Sequence, residues 1–198
     1  MTTRKSAHLI AAVAIAIAIA GCGSSPPARF YTLDSTAVVT GAAAAHISVI
    51  VGPVTVPASV NMPQMVVQVG PNRVDVEEFN RWEAPLEDNI ADAVAGDLVA
   101  LLGTSDVTTA PLAGFRPDYR VIINVQRFDS ALGKLALVEA MWTVRNANGG
   151  EIRSGRTVAR ESPQGAGYEA LAAAHSRALA VISGDIAAAI RAESHETY

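Results

Sequence analysis

The chain has 198 residues, with 15 Lys and Arg against 19 Asp and Glu, and a single cysteine, Cys22. That length suits one globular domain with a segment to spare. The acidic balance and the lack of any Lys/Arg cluster argue against nucleic-acid binding, which needs concentrated positive charge. One cysteine excludes an intrachain disulfide.

In chain order, Arg4 and Lys5 come first, followed by an unbroken run of Leu, Ile, Val and Ala over residues 9–20. Such a run falls short of the roughly 20 residues a membrane-crossing helix needs. A positive start, a short apolar core and small residues at its end describe a secretory signal. The run stops at Ile19-Ala20-Gly21-Cys22, a branched aliphatic, two small residues and a cysteine, which resembles the bacterial lipobox. The resemblance implies cleavage after residue 21 and a diacylglyceryl group on the Cys22 thiol, the nucleophile of the segment. Several acyl chains on one residue hold a protein firmly to a membrane without spanning it. Removal of Arg4 and Lys5 with residues 1–21 leaves 13 basic and 19 acidic side chains, a net charge of −6. The predicted organisation is a cleaved lipoprotein signal peptide over 1–21, and a lipidated cysteine, tether and first short strand over 22–45. A globular domain follows over 46–198.

Within the tether, Gly-Ser-Ser-Pro-Pro-Ala precedes a strand-like Phe30-Tyr31-Thr32-Leu33, and residues 35–45 read as a loop. Residues 47–51 are rich in β-branched side chains and continue through Val54-Thr55-Val56. Pro53 and Pro57 cannot donate to a ladder, so the stretch reads as an edge or bulged strand. Residues 65–69 and 73–79 form a hairpin around Gly70-Pro71-Asn72. Leu86, Ile90, Val94, Leu98 and Leu101 recur at helical spacing, with Glu87, Asp88, Asp92 and Asp97 elsewhere around the cylinder. Pro85 suits the helix start, and Gly103 ends it. Residues 119–129, 136–144 and 152–161 alternate as three strands of an antiparallel meander, the last two joined through Asn148-Gly149-Gly150. The final helix, residues 168–191, carries the stripe Tyr168, Leu171, His175, Leu179, Ile182, Ile186 and Ile190. Strands in runs, without regular alternation with helices, favour an α+β fold. The expectation is an antiparallel sheet with two helices packed on one face, in the order strands, helix, three-stranded meander, helix.

Chemical motifs are sparse. Gly165-Ala166-Gly167-Tyr168-Glu169-Ala170 matches G-x-G-x-x-A, but the helix it opens is the last element, with no second strand to complete a dinucleotide-binding unit. His46, His175 and His195 are scattered and show no zinc-ligand spacing, so no metal and no cofactor is expected. His175, on an apolar stripe, reads as a satisfied, partly buried core histidine. Glu77 and Glu78 point to opposite faces of a strand and cannot act as a carboxylate pair. No G-x-S-x-G nucleophile elbow occurs, and no catalytic residue is predicted. What stands out is the segment Met62-Pro63-Gln64-Met65 together with Arg81-Trp82, where a strand end meets a proline-started helix. The corner reads either as a packing joint, with Trp82 over the helix start and Arg81 paired locally, or as a contact surface for a partner or second copy. Trp, Arg and Met are all frequent at interfaces.

At these residues the chain resembles the PqiC-type lipoproteins, also called ABC-transport auxiliary lipoproteins. The similarity is carried by Cys22, residues 30–33, Val51-Gly52-Pro53-Val54-Thr55-Val56-Pro57, residues 63–66, Asn72, Arg81-Trp82-Glu83-Ala84-Pro85-Leu86, residues 98–102, 119–121 and 126–129. Glu83-Ala84 reverses the family's usual Ala-Glu order. The resemblance implies a non-enzymatic, lipid-anchored docking subunit at the outer membrane, facing the periplasm. It implies a partner MCE-domain protein of an ABC-linked intermembrane lipid transport system, and rings of identical subunits. The alternatives are a stand-alone periplasmic lipid carrier, or a hydrolase with a dispersed site.

Overall fold

The strongest alternation in the sequence becomes the centre of the molecule. The structure is a computed structural model and describes residues 25–38, 47–111, 113–147 and 150–196. The signal sequence, Cys22 and His46 lie outside the described residues. Strands β6 (Tyr119–Ala131), β7 (Leu135–Asn146) and β8 (Glu151–Glu161) form the expected antiparallel meander. Ahead of them come β1 (Arg29–Tyr31), β2 (Val49–Thr55), β3 (Gln64–Gly70), β4 (Arg73–Trp82), helix α1 (Leu86–Leu102) and a two-residue β5 (Val107–Thr108). Helix α2 (Gly167–Glu196) closes the described chain. The fold is α+β.

The strands divide into two sheets, a five-stranded one ordered β5-β2-β6-β7-β8 and a three-stranded one ordered β1-β4-β3. This corrects the single, wholly antiparallel sheet expected above. β2 pairs in parallel with both β5 and β6, and β1 in parallel with β4. A parallel partner needs a long crossover. Here the β3–β4 hairpin and α1 together provide it, and the hairpin leaves to build its own sheet. The proline-bearing strand is bulged, with its register slipping between Val51 and Val54 around Gly52-Pro53. β5 covers only Val49 and Ile50, so the rest of that side of β2 is an edge, where Pro53 has no ladder bond to lose.

Both helices lie on one face of the five-stranded sheet and share a single buried cluster with it. Leu171, Leu179, Ile182, Ile186 and Ile190 of α2 are all buried, facing Ala136, Val138, Ala140 and Val144 of β7. α1 contributes Leu86, Ile90, Val94 and Leu98. It ends as the sequence implied, with Gly103 at φ 68° donating its N–H to the Val99 carbonyl at 3.0 Å. One close approach ties β7, β8 and α2 together. The Trp142 indole lies so tightly over Gly155 that a Cβ there would sit 2.4 Å from a ring carbon. Trp142 Nε1 donates to Thr157 Oγ1 at 3.0 Å, and that hydroxyl donates to Asp185 at 2.6 Å.

Candidate docking site

The corner singled out in the sequence is assembled by β3, β4 and the turn before them. The Trp82 N–H donates to the Pro63 carbonyl at 2.7 Å, and Gln64 stands opposite Arg81. From there to the Val66–Val76 pair β3 advances two residues and β4 five, so β4 bulges outward over residues 77–80. Trp82 is buried and meets Phe128 edge-on, ring centroids 6.0 Å apart at 80°. Met65 is buried beside it. Met65 and Trp82 thus form a packing joint and offer no surface to a partner. Met62 and Gln64 are half-buried and Pro63 is exposed. Arg81 pairs locally, donating from Nε to the Glu78 carbonyl at 2.8 Å and from Nη2 to the Glu78 carboxylate at 3.1 Å. Glu77 turns the other way, accepting from Asn80 at 3.4 Å. Burial, and then the nearby Glu77 carboxylate, push the Tyr168 phenol well above its ordinary range.

Next to the joint lies a surface that sequence reasoning missed. Val74 and Val76 are 57% and 53% exposed. Val76 stands opposite Val66, and Val74 opposite Gln68, so these side chains share one face of the hairpin. That face borders an open groove of about 270 Å³, lined also by Gln126 to Ser130 of β6 and by Pro57, Ser59 and Val60. The available signal was valine at both positions 74 and 76, on one side of a strand whose covering element the sequence does not provide.

Beneath the groove, Ser130 Oγ lies 2.8 Å from His175 Nε2, and the imidazole stacks on Phe128 at 3.9 Å with 9° between planes. His175 is fully buried, not partly as expected. Its Nδ1 has no hydrogen-bond partner among the described residues. Desolvation holds the ring at a pKa of about 3, neutral at any physiological pH. Among the described residues no third group orients this imidazole, and a ring so desolvated is a weak proton acceptor near neutrality.

A third cluster fixes the segment after β1. Asp97, expected on the polar side of α1, is fully buried. Residues 33–37 cross α1 at this point and convert the polar face into an interior. Asp97 Oδ1 accepts from Ser35 Oγ and from the N–H groups of Thr36 and Ala37, each at 2.9 Å, and Oδ2 accepts from Ser183 at 3.0 Å. Asn89 and Ser176 accept the Leu33 and Asp34 N–H groups at 3.4 and 3.1 Å. Gly96 permits the crossing, since a Cβ there would meet the Ser35 Cβ at 2.8 Å. The glycine-rich turn before α2 belongs to no βαβ unit, because β8 before it is antiparallel to β7 and no strand follows among the described residues.

With this geometry in place, a family model described as the ABC-type transport auxiliary lipoprotein component matches residues 31–187. The chain belongs to this family. The match runs from the end of β1 into α2 and so takes in the strap of residues 33–37, the hairpin, both sheets and the buried Asp97 and His175. A comparison with curated protein sequences gives no match. Among solved structures, a Xanthomonas campestris protein of the DUF330 family aligns with a TM-score of 0.68 at 18% identity, covering 84% of this chain and 99% of that one. A second, an uncharacterized protein, aligns at 0.67 with 18% identity, covering 83% and 99%. A PelC dodecamer from Paraburkholderia phytofirmans aligns at 0.41 with 13% identity, covering 78% and 92%. Among the described residues of this auxiliary component, no helix is long and apolar enough to cross a membrane, and no three His, Cys, Asp or Glu gather as a metal site.

Proposed function

We propose that this auxiliary component is a non-enzymatic docking subunit, anchored at the outer membrane through lipid on Cys22. In this reading it seats an MCE-domain protein of an ABC-linked intermembrane lipid transport system. The observation that carries the reading is the exposed hairpin face of Val66, Val74 and Val76 beside an open groove. A docking surface needs an apolar centre with a polar rim. Gln64, Gln68 and Arg81 supply that rim, and Met62 and Pro63 extend the apolar part. Family membership supports the transport setting, and the strap of residues 33–37 supports an anchored role, since it joins the tether to the body through buried hydrogen bonds.

The test is capture of an MCE-domain protein from the same organism by the purified lipoprotein. Val74→Glu with Val76→Glu should weaken capture at least tenfold while the unfolding midpoint stays in place, and Met62→Ala and Arg81→Ala should each weaken it less. Undiminished capture by the folded double variant refutes the docking face. Co-purifying phospholipid in stoichiometric amount, with no capture at all, would favour the carrier reading. Anchoring is tested separately: the mature protein should begin at Cys22 with acyl mass, and Cys22→Ser should release it from membranes or leave it unprocessed. An unmodified N-terminus elsewhere refutes it.

A further inference from the structure

The outer face of the five-stranded sheet, turned away from the helices, gathers charge of one sign at one end. Arg120 of β6 and Arg145 of β7 are register partners, directly opposite each other. Like charges in that position destabilise a strand pair. Arg116, in the loop before β6, joins them, and the three line a groove of about 480 Å³ with Phe115, Pro117 and Ile122. All three arginines are exposed, while Phe115 and Ile122 are half-buried. Among the described side chains, the ion pairs engage Arg81, Arg127, Arg156 and Arg177 and none of these three. Arg120 leans across β2, donating from Nη1 to the Gly52 carbonyl at 3.4 Å. Glu151 is the register partner of Arg145 on the other side.

The groove has a fixed wall. Asp118, the nearest acidic residue in sequence, spends Oδ2 on Ser48, accepting from its N–H at 2.8 Å and its hydroxyl at 2.9 Å. The Asp118 N–H donates to the Ser48 carbonyl at 2.9 Å, and the Arg116 carbonyl, 3.3 Å from the Ser48 hydroxyl oxygen, shares that single hydroxyl hydrogen with Asp118. The loop carrying Phe115, Arg116 and Pro117 is therefore pinned to the start of β2, opposite the arginines of the sheet. In a mature chain predicted to carry a net charge of −6, three guanidinium groups with no ion-pair partner among the described side chains, set around one apolar-floored groove, call for an anion.

We propose that this groove binds a phosphate-bearing group. A tetrahedral phosphate offers several acceptor oxygens and can engage two or three planar guanidinium forks together, where a single carboxylate saturates one. Phe115, Pro117 and Ile122 give an apolar edge beside the charge, which suits a phosphate attached to an organic body. The same chemistry is presented by free phosphate and by the headgroup of an anionic phospholipid. The site is separate from the hairpin face and does not depend on the docking proposal.

The experiment is calorimetric titration of the full lipoprotein in nonionic detergent micelles with three probes: inorganic phosphate, a short-chain phosphatidylglycerol and a short-chain phosphatidylcholine. Arg116→Ala and Arg145→Ala serve as variants because neither side chain makes a hydrogen bond to the described residues. The expected result is saturable binding of phosphate, phosphatidylglycerol or both, weakened at least tenfold in each variant with the unfolding midpoint unchanged. Binding of phosphatidylglycerol without inorganic phosphate identifies a lipid headgroup as the source, and binding of both identifies the phosphate itself. Equal binding of phosphatidylglycerol and phosphatidylcholine, affinity unchanged in the variants, or no binding of any probe overturns the proposal. Saturation by a polyglutamate peptide with neither phosphate probe bound also overturns it, in favour of an acidic protein segment.

Discussion

Replacing His175 tests the buried polar pair under the groove. In the folded protein desolvation lowers the imidazole from 6.5 to about 3, whereas the unfolded chain titrates near the ordinary value. Between those two pH values the unfolded state binds a proton that the folded state refuses, so stability rises with pH across that window and falls on acidification. The gap of about 3.5 units, at about 1.4 kcal/mol each, caps the loss at about 5 kcal/mol. By pH 5 the linkage already amounts to about 2 kcal/mol, which for a chain of this size lowers the melting midpoint by about 4–8 °C. Urea unfolding at pH 5, 6, 7 and 8 reads this directly, staying above the range where carboxylates titrate. His175→Leu should remove most of the dependence between pH 5 and 7. At pH 7–8 it should also lower stability by about 1–3 kcal/mol, because the Ser130 hydroxyl is left buried without a partner, and this deficit should shrink toward pH 5 as the wild type loses stability. Ser130→Ala combined with His175→Leu should recover part of that loss and keep the flat profile. A wild type whose stability is flat from pH 5 to 7, or a His175→Leu protein that keeps the wild-type slope, refutes the reasoning.

Two further outcomes follow from the packing. Ile182→Ala empties a fully buried site between α2 and the sheet and should cost about 2–5 kcal/mol by urea denaturation; an unmoved midpoint would mean that the stripe is not packed as described. Gly155→Ala places a methyl group inside the Trp142 indole and should lower the melting temperature with a loss of near-ultraviolet circular dichroism from that ring, whereas an unchanged spectrum would show that the strands separate freely there.

Much of the fold is legible in the sequence because local rules and burial agree. α1 has a proline-started first turn, an i, i+4 apolar stripe and a left-handed glycine, and its bounds follow. The meander alternates strictly until the bulge between Val125 and Arg127, which switches the inward positions to Phe128 and Ser130. Pairing partners are a different matter. Nothing local to residues 49–55 says that their neighbour is residue 119 onward, since that choice is made by the crossover. Asp97 was misplaced for the same reason: a helical wheel reports one helix, and the segment covering it comes from about 60 residues upstream. At the candidate site, residue chemistry drew notice to Met62, Pro63, Gln64, Met65, Arg81 and Trp82, but only packing separates the buried Met65 and Trp82 from the four at the surface. The valines at 74 and 76 and the arginines at 116, 120 and 145 escaped because ordinary strand and loop residues become a surface only through their neighbours.

The three-stranded sheet has a mechanical meaning. β4 is its middle strand, flanked by β1 on one side and β3 on the other. In the anchored protein proposed above, about seven residues separate Cys22 from Arg29, a leash of at most about 24 Å. Any load from the membrane enters at β1 and is shared with the helix pair through Asp97. A machine seated on the β3–β4 face would pull from the opposite side of the same strand. Tension between membrane and machine would then cross β4, with the helix pair taking a share through Asp97 before the load reaches the five-stranded sheet.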